Sequence, residues 1–183
     1  MTETKHVKTK VCLVGDNGVG KTSLIQRFVL DQFDDRYLVT IGTKVTTKDV
    51  QIYHPAQDVR IELNMAIWDI MGQEGFREIL RDACFHGAHG VLAVADLTRR
   101  ETLDNLLEWI DAVDRTAGTV PVVIALNKAD LADRAAYDRA EAHRIAGSLH
   151  ADCLLTSART GENVEEAFRR LGEAILNAQL AHP

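Results

Sequence analysis

Residues Gly15-Asp16-Asn17-Gly18-Val19-Gly20-Lys21-Thr22-Ser23 satisfy the pattern G-x-x-x-x-G-K-[ST]. Glycines at this spacing let a backbone curl until successive N–H groups converge, and converging amides bind phosphate oxygens. The amides of Asn17, Gly18, Val19, Gly20, Lys21, Thr22 and Ser23 are therefore candidates for a phosphate cradle. A helix starting near Lys21 would add its positive dipole end. The Lys21 ammonium can neutralise β- and γ-phosphates, and the Thr22 hydroxyl can ligate magnesium. Alone, the motif specifies a nucleoside triphosphate and no particular base.

Three further stretches narrow the chemistry. Trp68-Asp69-Ile70-Met71-Gly72-Gln73-Glu74 follows an alternating apolar segment and offers D-x-x-G-Q. Asp69 can hold magnesium through water, Gly72 can offer its amide to a γ-phosphate, and Gln73 can orient an attacking water. Asn127-Lys128-Ala129-Asp130 is N-K-x-D. The Asp130 carboxylate can accept from guanine N1–H and the 2-amino group. Adenine lacks that donor edge, so a site built this way discriminates between the two bases. The Lys128 stem can lie along the base, and Asn127 can tie this loop to the phosphate loop. Last, Thr156-Ser157-Ala158-Arg159 offers a backbone amide at Ala158 for guanine O6.

These residues need a scaffold that gathers them from four distant points of the chain. Apolar runs alternate with helical patterns throughout. The spacing predicts strands over Thr9–Val14, Thr43–Tyr53, Val59–Asp69, Gly90–Ala95, Val120–Leu126 and Asp152–Leu155. It predicts helices over Lys21–Leu30, Glu74–Phe85, Glu101–Thr116, Arg134–Leu149 and Val164–Gln179. Ile61, Leu63, Met65 and Ile67 alternate with Glu62, Asn64, Ala66 and Trp68, the period of a strand with unlike faces. Val164, Phe168, Leu171 and Ile175 form one helical stripe. Val91–Ala95 and Val122–Leu126 are continuous apolar runs, as in parallel strands covered on both sides. The pattern is that of an open, doubly wound α/β domain, whose ligands sit at the carboxyl ends of its strands.

Composition sets the outer limits. The 183 residues fit one domain, 1–183, and are 46% hydrophobic and 26% charged, the balance of a soluble globular protein. A net charge of −6 argues against nucleic acid as a partner. The basic cluster of Lys5, Lys8 and Lys10 beside His6 reads as a solvated run-up to the first strand. Cys12, Cys84 and Cys153 are far apart and odd in number, which fits a reducing, cytoplasmic setting. Cys84, His86 and His89 lie close in sequence but lack a second ligand pair for zinc, so a helix end and loop is expected there. No run approaches a membrane span, and the C-terminal Ala181-His182-Pro183 contains no cysteine for prenylation.

Taken together, the four motifs, in this order and each at a predicted strand end, resemble the Ras superfamily of small GTPases, closest in look to the Rab branch. The resemblance runs from Lys10 to about Leu180. Its Rab-like character rests on residues 15–23, on Tyr37-Leu38-Val39-Thr40-Ile41-Gly42, and on Asp96-Leu97-Thr98 followed by Arg100-Glu101-Thr102-Leu103. It implies an α/β P-loop NTPase fold (a G domain): a six-stranded, mostly parallel sheet with one antiparallel edge strand and helices on both faces. It also implies GTP and GDP as ligands with Mg²⁺, and slow hydrolysis. Thr40 resembles the switch I threonine, which would join Thr22 and Asp69 at magnesium. With Gln73 and Lys21 it would make up the catalytic set. Phe33 resembles the aromatic set edge-on to guanine, and Tyr37 the tyrosine that covers the phosphates. Switch I would span about 33–43 and switch II about 69–81, where effector, exchange and activating proteins would dock.

The chain departs from that family at several points. Met71 stands where most members have alanine, and Ile70 where many have threonine. Asn17 replaces glycine or serine. Residues 41–68 are several more than a Rab places between the switch I threonine and the switch II aspartate, with the excess expected near His54–Asp58. The chain stops soon after its last helix, and its 14 arginines against 7 lysines suit a prokaryotic relative. Two alternatives stay open: a nucleotide-dependent binding module with negligible hydrolysis, and another P-loop enzyme such as a kinase or ATPase.

Overall fold

A computed structural model describes residues 4–36, 42–54, 58–70 and 83–181. Six strands form one sheet: β1 (Thr4–Val14), β2 (Thr43–His54), β3 (Val59–Ile70), β4 (Gly90–Asp96), β5 (Val122–Asn127) and β6 (Asp152–Leu155). Their spatial order is β2-β3-β1-β4-β5-β6. Only β2 and β3 pair antiparallel, so β2 is the antiparallel edge and all other neighbours are parallel. The helices are α1 (Lys21–Leu30), α2 (Arg100–Asp104), α3 (Leu106–Ala117), α4 (Arg139–Ser148) and α5 (Val164–Ala181), with a 3-10 segment at Ala129–Arg134.

The hydrophobic pattern explains the layers. On β3, Ile61, Leu63, Met65 and Ile67 are all buried, and they join a core beneath α1 and α5. The α5 stripe of Val164, Phe168, Leu171 and Ile175 fills the same core. There the Phe168 ring stacks on Phe28 of α1, centroids 4.0 Å apart and 4° from parallel. The opposite face packs Cys12, Val91 and Ile124 under Trp109 and Ile110 of α3. Strands β4 and β5 lie between these two cores, which is why their runs are continuously apolar. Gly172 has no side chain because a Cβ there would press into Met65, Ile52 and Leu63, so α5 can lie close to the sheet.

Several predicted boundaries shift. Strand β1 begins at Thr4 and pairs with β3 from Thr4↔Arg60 onward, so the basic cluster lies within a strand rather than ahead of one. Lys10 sits with Nζ 3.9 Å from the centre of the Trp68 ring and donates to His86 O at 2.9 Å. The helix predicted over Glu101–Thr116 is two, α2 and α3, which meet at Asn105. The helix predicted from Arg134 starts at Arg139, because Asp138 caps it by accepting the Glu141 amide at 2.7 Å. The β2–β3 ladder runs without a bulge from Thr43↔Ile70 to His54↔Val59. Residues 55–57, where the excess length is expected, and all but the last turn of the helix predicted over Glu74–Phe85, lie outside the described residues.

Candidate functional site: a nucleotide cleft at the strand ends

Each of the four motifs begins at the carboxyl end of a parallel or central strand: residues 15–23 after β1, Asp69 near the end of β3, Asn127 at the end of β5 and Ser157 after β6. They surround a cleft of about 340 Å³ whose walls include Lys21, Phe33, Asn127, Lys128, Asp130 and Ala158. That volume is in the range of small-ligand sites.

The phosphate end is organised by Lys21. The side chain is only 6% exposed, and Nζ donates to the carbonyls of Gly15 at 2.7 Å and Asp16 at 2.9 Å. Burial pulls its pKa down to about 8, with Asp69 and Asp16 acting in the opposite direction. A buried ammonium held by two carbonyls is poised to meet an anion. Asn17, Gly18, Gly20, Thr22 and Ser23 also line the cleft. Val19 is not among the residues lining the cleft, and its side chain is buried in the core.

The magnesium candidates meet beside this lysine. Thr22 Oγ1 donates to Asp69 Oδ2 at 2.5 Å. Asp69 is 2% exposed, and its Oδ1 has no hydrogen-bond partner among the described residues. Burial raises its pKa, with Thr22 and Lys21 opposing. An orphaned, buried carboxylate oxygen next to a hydroxyl is a hard-oxygen donor set, and it fits a divalent cation such as Mg²⁺.

The base end is a network of side chains bonded to backbone. Asn127 Nδ2 donates to Val19 O at 2.9 Å and so joins β5 to the phosphate loop. This contact requires Gly20, since a Cβ on Gly20 would collide with that amide nitrogen, and its φ of 101° disfavours any other residue. Asn127 Oδ1 accepts the Ala158 amide at 3.2 Å, which is the same amide proposed for guanine O6. Ser157 is fully buried and is not among the residues lining the cleft, but its hydroxyl donates to Asp130 Oδ1 at 2.6 Å and aims that carboxylate. Lys128 has a left-handed φ of 67° and reaches back to Asp96 Oδ2 at 2.7 Å. Phe33 and Arg159 line the rim. Tyr37, Thr40, Gly72 and Gln73 lie outside the described residues, as does Met71.

The structure adds residues that no sequence motif pointed to. From α1, Arg27 Nε donates to Ala158 O at 2.8 Å and its Nη2 to Arg159 O at 2.6 Å, fixing the loop after β6. Asp16 Oδ2 and Oδ1 accept from Asn105 Nδ2 at 2.7 Å and Trp109 Nε1 at 2.9 Å, so α3 braces the phosphate loop. These partners are about 90 to 130 residues apart in sequence, and no local pattern marks them.

The six-stranded fold, with its glycine-rich loop between β1 and α1, is that of a P-loop nucleotide-binding protein. The Ras family model matches residues 10–177. A GTP-binding protein of Zea mays, YPTM1, is 37% identical over 167 residues, covering 91% of this chain and 77% of the relative. Ras-related protein Rab-1A of Dictyostelium discoideum is 34% identical over 178 residues, covering 97% and 85%. The chain belongs to the Ras family and is a Rab-like small GTPase.

Proposed function

We propose that residues 1–183 form one G domain that works as a switch, binding GTP with Mg²⁺, hydrolysing it slowly and then holding GDP. The observation that carries this reading is the triple of Lys21, Thr22 and Asp69, an ammonium, a hydroxyl and an orphaned carboxylate oxygen brought together beside the phosphate loop.

Lys21 and the loop amides of residues 17–23 bind the phosphates and offset charge that builds up on them during transfer. Thr22 and Asp69, with Thr40, would hold Mg²⁺, which neutralises phosphate charge when bound. Gln73 and the Thr40 carbonyl place the attacking water, while the Gly72 amide contacts the γ-phosphate. Asp130, Lys128, Ala158 and Phe33 hold guanine, with Asn127, Ser157 and Arg159 shaping their loops. Tyr37 covers the phosphates. Little covalent chemistry falls to the protein, so without an arginine supplied by a partner the rate is on the order of 10⁻⁴ s⁻¹, as for Ras. Residues 33–43 and 69–81 report the bound nucleotide to effector, exchange and activating proteins. We place this activity in the cytoplasm; no helix among the described residues is long and apolar enough to cross a membrane.

A second reading, a binding module that scarcely hydrolyses, draws support from Met71, a long side chain beside Gly72. Single-turnover hydrolysis by the wild type and Gln73→Leu separates the two. Phosphate release that the substitution slows by at least about tenfold supports the switch. Tight binding with no release from either protein supports the module.

A further inference from the structure

The connection from β4 to α2 sets an arginine against the outside of the phosphate loop. Arg99 Nη2 donates to the main-chain oxygen of Asn17 at 2.9 Å, and its Nε donates to Asp96 Oδ2 at 3.1 Å. The same Asp96 oxygen accepts Lys128 Nζ at 2.7 Å. The other oxygen takes the amide and hydroxyl of Thr98 at 2.9 and 2.7 Å. Asp96 is 1% exposed, and these four bonds fix its carboxylate and, through it, Arg99. Burial alone would raise the pKa of Asp96, but Lys128 and Thr98 hold it below the ordinary value.

This geometry makes a continuous path. The phosphate loop can turn its amides inward only if some carbonyls turn outward, and Asn17 O is one of these. Arg99 caps that carbonyl and hands the restraint, through Asp96, to the lysine of the base-recognition loop. A planar guanidinium can serve two acceptors at once in a fixed fork, which an ammonium cannot do with the same geometry. The neighbouring Arg100 turns elsewhere, to Glu141 and Asp104, so the bridge is specific to one of two adjacent arginines. Among the described residues, Arg99 is not one that lines the cleft, which separates it from groups that touch the nucleotide.

We propose that Arg99 is a positioning residue that ties the phosphate loop to Lys128 through Asp96 and thereby slows release of bound guanine nucleotide. The inference rests on the nucleotide site proposed above. The experiment loads the protein with a fluorescently labelled GDP and chases it with excess GDP, comparing wild type, Arg99→Ala, Arg99→Lys and Arg100→Ala. Single-turnover GTP hydrolysis and the thermal midpoint in saturating GDP are read in parallel.

Arg99→Ala is expected to release GDP roughly tenfold faster, the scale of one charge-assisted bond at a partly exposed site. Arg99→Lys should recover only part of that loss, Arg100→Ala should stay within about twofold of wild type, and the hydrolysis step should change less than release does. If Arg99→Ala proves unstable, Arg99→Gln, which lacks the charge and the guanidinium fork, carries the same expectation. Release at the wild-type rate from Arg99→Ala, or full recovery by Arg99→Lys, overturns the bridge. Lost hydrolysis with unchanged release also overturns it and makes Arg99 a group acting on the transferred phosphate. A wild type that fails to bind the labelled GDP overturns the nucleotide site itself.

Discussion

The hydroxyl of Thr22, at the first turn of α1, donates to Oδ2 of Asp69 near the end of β3, 47 residues away, at 2.5 Å. The bond aligns two hard oxygens and leaves the second carboxylate oxygen of Asp69 without a partner among the described residues. Replacing Asp69 with Asn keeps the shape but removes the charge a divalent cation needs. Asp69→Asn is expected to weaken magnesium-dependent retention of GDP by at least about tenfold. In a release assay with and without a chelator, the wild type should respond to the chelator and the variant should barely respond. Equal responses would remove Asp69 from the cation site.

Ser157 makes a prediction about base selection. Its buried hydroxyl orients Asp130, and it also accepts the Thr160 amide at 3.1 Å. Hydrogen bonds to charged groups are worth about 1.5–3 kcal/mol, so Ser157→Ala should weaken GDP binding about tenfold or more. Preference for GDP over ADP should narrow too, because a loosely held carboxylate discriminates less. Competition binding with the two nucleotides checks both effects, and an unchanged preference would show that Asp130 needs no such support.

The depressed pKa of Lys21 gives a pH dependence whose sign can be worked out. Its folded value, about 8, lies below the ordinary 10.5, so folding disfavours the ammonium. The resulting destabilisation is fully present below about 8 and fades as pH rises toward the ordinary value. A bound phosphate reverses the preference by favouring the charged form. GDP affinity of the nucleotide-free protein should therefore fall, by up to about tenfold per pH unit, once pH exceeds about 8. Titration calorimetry in buffers of different ionisation enthalpy should detect proton uptake in that window and none near pH ~7. Lys21→Met, lacking the titrating group, should show neither the slope nor the uptake.

The Phe28–Phe168 stack ties α1, and so the phosphate loop it follows, to α5. Phe168 is fully buried, and a Phe→Ala cavity costs about 3–5 kcal/mol. For a chain of this size Phe168→Ala should lower the thermal midpoint by at least about 6 °C in saturating GDP. A smaller drop would mean that Met65 and its neighbours close the cavity.

The sequence by itself determined the sheet, its alternation with helices and the four motifs at the strand ends. The reason is that these depend on local rules. Alternating Ile61, Leu63, Met65 and Ile67 can bury one face only as a strand, and the glycines around Lys21 permit a curl that other residues resist. What it left open depended on distant partners. Helices α2 and α3 read as one until Asn105 is seen engaged with Asp16 of the phosphate loop. The start of α4 moved because Asp138, not an upstream residue, caps it. That Ser157 donates to Asp130, and that Arg27, Arg99 and Trp109 brace the loops, is seen only in the folded chain. Such contacts join residues up to 132 positions apart through side chains whose local sequence carries no periodic signal, so packing of the whole sheet has to bring them together.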